Sequence, residues 1–490
     1  MLSRGQLQEV GTTVMNEMLK ALLPQVIGVS VFIISSIASV HVILNKRDTK
    51  ATVGWIGLIW LVPVLGSLLY MLLGINRIRR RAKDLRVEHL ESVSHSGLKV
   101  ANNIDIPDDF TGFSHLVTKI IRKPLLNGNV LQPLVNGDEA YPAMIGEIDR
   151  AEHSINMMTY IFDRDRAGKR FVEALVRAAG RGVKVRVIID DVGARYSFPP
   201  VTGLLRRGGI KVSRFLPTML PWRTPYVNLR NHRKILVIDN QKGFTGGMNI
   251  REGLMLKEKL KHSFQDLHFS VEGPVVSHLQ EVFFTDWAFC TGESPEADEI
   301  SFLSETSGTT IARGIPDGPD EDFEKLQWIV HGALMAAKSS VLITTPYFIP
   351  DSSLIKTINL AALRGVQVDI VLPAVSNLPL VKWASTDVLG QIMEHGSRVW
   401  LSPPPFDHSK LMIVDDVWTL LGSANWDTRS FRLNFEFNLE CYDKTFAASL
   451  KEIIRNKMAH AHRVTPDEVN GRSLPVKLRD GIARLFSPYL

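Results

Sequence analysis

The chain has 490 residues, 45% of them hydrophobic and 22% charged, with a formal net charge of +6. That length holds two core-sized units with segments to spare, and the positive balance favours an anionic partner, lipid head groups or nucleic acid. Cys290 and Cys441, the two cysteines, have no metal-ligand spacing; they exclude a disulfide framework, argue against a zinc site, and read as buried thiols in a reducing compartment.

After an N-terminal segment, 1–20, the stretch from Ala21 to Asn45 holds no Asp, Glu, Lys or Arg. A short charged loop, Lys46 to Lys50, leads to a second such stretch from Ala51 to Ile75. Each is long enough to cross a hydrocarbon core of ~30 Å as a helix. The short loop predicts a two-helix transmembrane hairpin over 21–76, with helices at about 21–45 and 51–75. No small-residue cleavage site follows the first stretch, which argues against a signal peptide. Arg77, Arg79, Arg80, Arg81 and Lys83 crowd the exit of the second stretch, against Lys46, Arg47 and Lys50 in the loop. The positive-inside rule then places the C-terminal bulk in the cytoplasm of a multi-pass membrane protein.

Residues 77–130 read as a basic juxtamembrane segment and linker, and beyond them the chain repeats itself. Ala151-Glu152-His153-Ser154-Ile155 opens an apolar run in one copy, and Ala337-Lys338-Ser339-Ser340-Val341 opens one in the other. Each copy continues into a helix that ends in Arg-Gly-Val, at Arg181-Gly182-Val183 and Arg364-Gly365-Val366, where the glycine suits a left-handed cap. A strand follows each time, over Lys184–Ile189 and Gln367–Leu372. Strands alternating with helices predict an α/β class: two pseudo-symmetric halves, 131–290 and 325–460, sharing one site. A linker at 291–324 and a basic amphipathic tail at 461–490 complete the chain.

Late in each repeat the same constellation recurs. His232-Arg233-Lys234 leads through four apolar residues to Asp239, and ten residues on stands Asn249 in Gly246-Gly247-Met248-Asn249. His408-Ser409-Lys410 leads in the same way to Asp415, and ten residues on stands Asn425 in Gly422-Ser423-Ala424-Asn425. One His-x-Lys-x4-Asp is weak; two at equivalent places, each with its Gly-(Gly/Ser)-x-Asn, are not accidental. In these motifs the chain resembles the phospholipase D superfamily, and within it the bacterial cardiolipin synthases. Thr345-Pro346-Tyr347-Phe348-Ile349-Pro350 and Asn434-Phe435-Glu436 extend the likeness. The resemblance implies two back-to-back α/β halves, no catalytic metal or other cofactor, and a covalent phosphohistidine. It also implies conversion of two phosphatidylglycerols into cardiolipin and glycerol at the bacterial inner membrane, with His232 as the attacking histidine.

The spacing supports that chemistry independently. Residues i and i+2 of a strand face the same way, so His232 points with Lys234 and His408 with Lys410. One imidazole attacks phosphorus and the other delivers a proton to the leaving oxygen. Lys234, Lys410, Asn249 and Asn425 hold the non-bridging oxygens. Asp239 and Asp415, seven residues past the histidines, fall on the opposite face of an unbroken strand and read as scaffold. A carboxylate must then orient each histidine from elsewhere: Glu436 within the second half, for His408, and Asp266 at the comparable place in the first.

Phe215 to Arg223 mixes apolar and basic residues without period and suits a lipid entrance. Val476 to Leu490 has near-helical apolar spacing and fits either the bilayer surface or the protein body. Three function classes compete. A phosphatidyltransferase fits every feature. A hydrolase of the same superfamily shares the phosphohistidine and differs in its acceptor. A non-catalytic scaffold has no need of both histidines. Nucleic acid is not expected as partner, since no basic, aromatic-lined groove is evident.

Overall fold

The computed structural model describes residues 4–46, 49–74, 106–217, 229–296, 299, 308–319, 322 and 324–487. They fall into two compact units, an N-terminal one through residue 77 and one that contains both repeats. The basic cluster Arg77–Lys83 and most of the expected lipid entrance, 218–223, lie outside the described residues.

In the N-terminal unit, Arg4–Asn45 is one helix of 42 residues, so 1–20 is no separate segment but mostly its first turns. Its part Leu22–Asn45 is apolar enough, with mean hydropathy 2.3, to cross a membrane. The second stretch departs from the expected single helix. It breaks into Thr49–Leu61, Pro63–Leu69 and a π turn Tyr70–Gly74. Pro63 is the cause: it has no N–H to continue the ladder, and its ring pushes the preceding Val62 out of helical geometry, to φ −135° and ψ 73°. Among the described residues one helix, not two, is therefore long and apolar enough to span. The broken stretch still packs along the first helix, with Ile59 and Tyr70 against Ala38 and Val42. Polar groups pair across it, Trp60 Nε1 donating to Ser39 Oγ at 3.0 Å and Tyr70 Oη lying 2.7 Å from His41 Nδ1, which suits an apolar surrounding where unpaired polar groups are costly.

In the second unit both repeats join one sheet whose order is a palindrome. From one edge it runs Lys211–Phe215, Lys184–Asp190, Ser154–Thr159, Ile235–Ile238, Lys242–Gly246, Leu267–Glu272, Leu126–Val135. The partner half continues with Thr310–Asp317, Asn434–Tyr442, Trp418–Gly422, Leu411–Val414, Ser340–Thr344, Gln367–Pro373 and Arg398–Ser402. In each half the two βαβ crossovers give parallel pairs and the motif strand sits antiparallel beside them. The expected glycine caps are present: Gly182 has φ +93° and Gly365 φ +88°, the left-handed region that only glycine enters without strain.

Where they are described, the two expected linkers carry regular structure. Asp108–Ile121 is a helix, and its Phe110, Phe113, Val117 and Ile121 join the core of the second half with Ile329, Val330 and Trp418. The first half's sheet begins at Leu126 rather than 131. Thr310–Asp317, inside the expected linker 291–324, is a wholly buried strand at the centre of the sheet. Arg313 on that strand forms a fully buried ion pair with Glu440 and also donates to Thr118 Oγ1 at 2.7 Å and to the Lys123 carbonyl at 3.1 Å. Buried charge is tolerated because several partners share it. One apolar cluster runs through both halves, from Leu131, Phe269 and Phe283 to Phe437, Leu439 and Leu450. The tail helix Leu474–Leu485 docks on the protein, burying Ala483 and Asp480, which takes ion pairs from Arg472 and Arg479; Leu474, Leu478 and Leu485 stay exposed.

Candidate active site

Each histidine stands on a short extended arm just before its motif strand, and each arm crosses to the other half. Arg230–Asn231 pairs in parallel with Asn434–Phe435, and Phe406–Asp407 pairs in parallel with Phe264–Gln265. The His232 amide donates to the Phe435 carbonyl at 2.9 Å, and the His408 amide to the Gln265 carbonyl at 2.7 Å. The next residue on each receiving strand is a carboxylate, Glu436 or Asp266. His232 Nδ1 lies 3.0 Å from Glu436 Oε2, and His408 Nδ1 lies 2.9 Å from Asp266 Oδ2. The expected pairing of Glu436 with His408 within one half is therefore wrong: the carboxylates serve the histidines crosswise. The reason is the strand exchange, which pairs residues 204 and 142 positions apart.

The two imidazole centroids are 6.5 Å apart, a gap that admits one tetrahedral phosphate. Glu436, fully buried, also accepts from Ser423 Oγ at 2.5 Å and from Asn434 Nδ2 at 3.1 Å. Burial works to raise its pKa, yet His232, Lys234 and Ser423 together hold it below the usual carboxylate value. In the first half Gly247 takes the place of Ser423; a Cβ there would run into the Asp266 carboxylate. His408 Nδ1 is also 2.8 Å from Lys410 Nζ. It cannot donate to Asp266 and accept from Lys410 together; the carboxylate contact has its counterpart at His232 and is the one that orients the ring.

Lys234 and Lys410 are buried beside the histidines, and each Nζ donates to the carbonyl of its own motif histidine at 2.5 Å. Burial drives both ammonium groups down, Lys234 to about 7 and Lys410 to about 8. Burial likewise lowers His232, and burial with Lys410 lowers His408 to about 4. Both imidazoles are thus neutral near pH 7 without substrate, as a nucleophile must be. An anion between the lysines stabilises charge on all four groups and raises these values.

The residues between histidine and lysine point away and fasten the arms, a role the sequence reading missed. Arg233 pairs with Asp286 at 2.7 Å, and Asp286 also accepts from Asn231 at 2.8 Å. Ser409 donates to Asp407 at 2.6 Å, and Lys457 pairs with the same carboxylate at 2.6 Å. Strand parity carried that signal, since i+1 opposes i and i+2. Asn249 accepts from the Ile161 amide through Oδ1 at 3.0 Å, so that oxygen is engaged by backbone. Among the described residues no group of three or more His, Cys, Asp or Glu could hold a metal ion.

Asp239 and Asp415 are not in the cleft. The motif strands end before them, at Ile238 and Val414, and both occupy the first left-handed position of a tight turn, each with φ +51°. Asp239 accepts the amides of Glu152, His153 and Ser154, and Asp415 those of Lys338, Ser339 and Ser340, at 2.8–2.9 Å. The scaffold reading agrees, though the turn rather than an unbroken strand removes them from the site. For Asp415 burial opposes ionisation, and the Ser340, Lys338 and Ser339 amides outweigh it, so its folded pKa is depressed. Its stabilisation is present above the unfolded carboxylate value, ~3.9, and is lost as pH falls through the lower folded value. Asparagine tolerates the left-handed backbone but turns an N–H₂ toward a donor. Asp415→Asn is expected to cost on the order of 1 kcal/mol, moderated by partial exposure, and to leave the rate per folded molecule near wild type. Thermal unfolding and single-turnover rate on one preparation check this.

Two fused α/β repeats that exchange arms to build one two-histidine cleft are the class this fold and site define. The family model described as cardiolipin synthase, PLD-like domain, matches residues 144–287 and 330–458, more than half of the chain, and one described as phospholipase D-nuclease N-terminal matches 33–74. Cardiolipin synthase 2 of Staphylococcus epidermidis is 33% identical over 479 residues, covering 94% of this chain and 97% of that protein. Cardiolipin synthase of Listeria innocua is 30% identical over 471 residues, covering 92% and 96%. The crystal structure of Haemophilus influenzae phosphatidylserine synthase shares the fold, with TM-score 0.61 at 16% identity, covering 78% of this chain and all of that one. The chain belongs to the cardiolipin synthase family of phospholipase D-like proteins.

Proposed function

We propose that this protein is a cardiolipin synthase that moves a phosphatidyl group from one phosphatidylglycerol to a glycerol hydroxyl of another. The observation that carries the mechanism is the pair of carboxylate-oriented imidazoles 6.5 Å apart, with a buried lysine beside each. His232 attacks phosphorus as its P–O bond to glycerol breaks, and His408, protonated once the anionic lipid is bound, gives its proton to the departing oxygen. The acceptor hydroxyl then attacks phosphorus, the P–N bond breaks, and the hydroxyl proton passes to His408. Glu436 and Asp266 fix the tautomers by accepting hydrogen bonds from the Nδ1–H groups, which leaves each Nε2 for phosphorus. Lys234 and Lys410, with the side-chain amides of Asn249 and Asn425, carry the transition-state charge.

The reading includes a multi-pass protein of the bacterial cytoplasmic membrane with its catalytic part inside. It is supported by the apolar helix Leu22–Asn45, the stretch that packs back along it, and the arginine cluster after residue 76. Labelled phosphatidylglycerol in vesicles is expected to yield cardiolipin and free glycerol with the full-length protein. The rate should survive thorough chelation with EDTA, because two buried lysines supply the positive charge. Phosphatidic acid as the main product would favour a hydrolase, and a strict need for added divalent metal would overturn the chemistry.

A further inference from the structure

The tail helix Leu474–Leu485 lies beyond the repeat, whose second copy ends with the helix Lys444–Met458. At about 100° per residue its side chains sort into distinct sectors. Asp480 and Ala483 face the protein and are buried. Ala483 packs with Ile349, and with Val381 and Ala384 of the helix Pro379–Met393. Leu474, Leu478, Ile482 and Leu485, with Phe486 at the C-cap, fall on the opposite side within an arc of about 120°. Each of the five is between 49% and 78% exposed. Between the two faces stand cations, Lys477 and Arg484 on one flank and Arg479 on the other, all three exposed. The acidic residue within the helix, Asp480, is on the buried face.

A helix that is apolar on both faces gains from covering both. The inward face is covered by the protein. The outward one is a continuous stripe, unlike the scattered exposed apolar residues that any surface carries. Its rotation is fixed by clasps at its flanks: the Arg479 guanidinium lies 4.6 Å from the Trp383 ring centroid, and Arg484 pairs with Asp387 at 3.1 Å, both on the helix Pro379–Met393. Charge then decides what covers the stripe. Arg472 and Arg479 share Asp480, so with Lys477 and Arg484 four cations stand against two carboxylates, Asp480 and Asp387. Two copies of this helix packed face to face would set cations beside cations around the rim, with no acidic side chain on the outward face to meet them. An anionic lipid surface supplies the missing negative charge, and long Lys and Arg side chains reach head groups from the edge of an embedded apolar face.

We infer that the tail helix is an interfacial anchor: its outward stripe lies in the head-group region of an anionic bilayer while its inward face stays docked on the second half. This goes beyond the proposed reaction and rests only on its membrane setting. The cleft is close by. Tyr347 packs against the cluster that receives Ala483, and its ring centroid is 6.0 Å from that of His408. The anchor therefore holds the His408 side of the cleft at the lipid surface, where a two-chain substrate presents its phosphate without leaving the membrane.

Nitroxide side chains placed one at a time at Leu478, Ile482 and Leu485 of the full-length protein, in vesicles that contain phosphatidylglycerol, separate the three possible covers. The wild type, with Cys441 buried and Cys290 partly so, gives the labelling background. Among lipids a nitroxide is relaxed well by oxygen and poorly by a water-soluble nickel chelate. All three positions are expected to show that pattern, against high nickel access at the exposed Glu173 of the helix Arg166–Gly180. High nickel access at the tail positions means that water covers the stripe and overturns the anchor. Low access to both reagents means that a second copy covers it and overturns the anchor too. This readout needs no turnover, so its failure is separate from failure of the proposed transfer reaction. In Ile482→Asp the ratio of two rates should fall roughly 10-fold: the rate on bilayer phosphatidylglycerol over that on phosphatidylglycerol with chains short enough to dissolve. Both rates come from the same folded molecules, so a folding defect leaves the ratio alone, and an unchanged ratio overturns the anchor.

Discussion

Alanine at His232 or at His408 is expected to leave a folded protein with almost no turnover. Loss of general acid–base help alone costs on the order of 100- to 10,000-fold, and loss of the nucleophile costs more, because no neighbouring group replaces the P–N bond. The two variants should differ in kind. With His232→Ala no acid-labile phosphoprotein forms from labelled donor. With His408→Ala the phosphohistidine forms slowly and then persists, since nothing takes the acceptor proton. A trapped intermediate on His408 in the His232 variant would reverse the assignment of nucleophile and acid. Both side chains are small parts of the core, and the arms are held by Arg233–Asp286 and by Asp407–Lys457, so folding should survive either change.

The second large effect concerns the crossed carboxylates. Glu436→Gln should lower the rate roughly 100- to 10,000-fold through His232, although the two lie in different repeats. Both Glu436 oxygens face His232 Nδ1, with Ser423 Oγ also on Oε2 and Asn434 Nδ2 also on Oε1. A glutamine must turn its N–H₂ toward one of these groups, and the imidazole loses the negative partner that holds its proton on Nδ1. The ring then presents the wrong tautomer to phosphorus. Phosphohistidine formation, the His232 step, should slow most. In thermal-stability cycles Glu436→Gln should couple to His232→Ala and be additive with His408→Ala to within about 0.5 kcal/mol. Coupling to His408 instead would contradict the crossed geometry.

Much of the site was legible because its chemistry is written locally. His-x-Lys is a two-residue period, so the facing of each pair and the opposite facing of Arg233 and Ser409 follow from backbone geometry. Asp239 and Asp415 were legible as scaffold through their offset, although their capping of the amides at 152–154 and 338–340 was not, since it joins segments about 80 residues apart. Pro63 was visible too, and its missing N–H is what interrupts the second apolar stretch.

By itself the sequence determined the repeat, the helix and strand identities marked by Gly182 and Gly365, the two His-x-Lys pairs that the fold brings together, and one apolar span. Each of these rests on short-range rules: side-chain period, a glycine's left-handed cap, or unbroken apolar length. Tertiary structure alone decided the exchange of arms between the halves, and with it which carboxylate serves which histidine. It also decided that Thr310–Asp317, a strand with Gly314, Pro316 and Arg313 and no alternating pattern, lies at the centre of the sheet. A strand buried on both faces shows no polar–apolar period, and a charge such as Arg313 becomes tolerable only when Glu440, more than a hundred residues away, arrives to meet it.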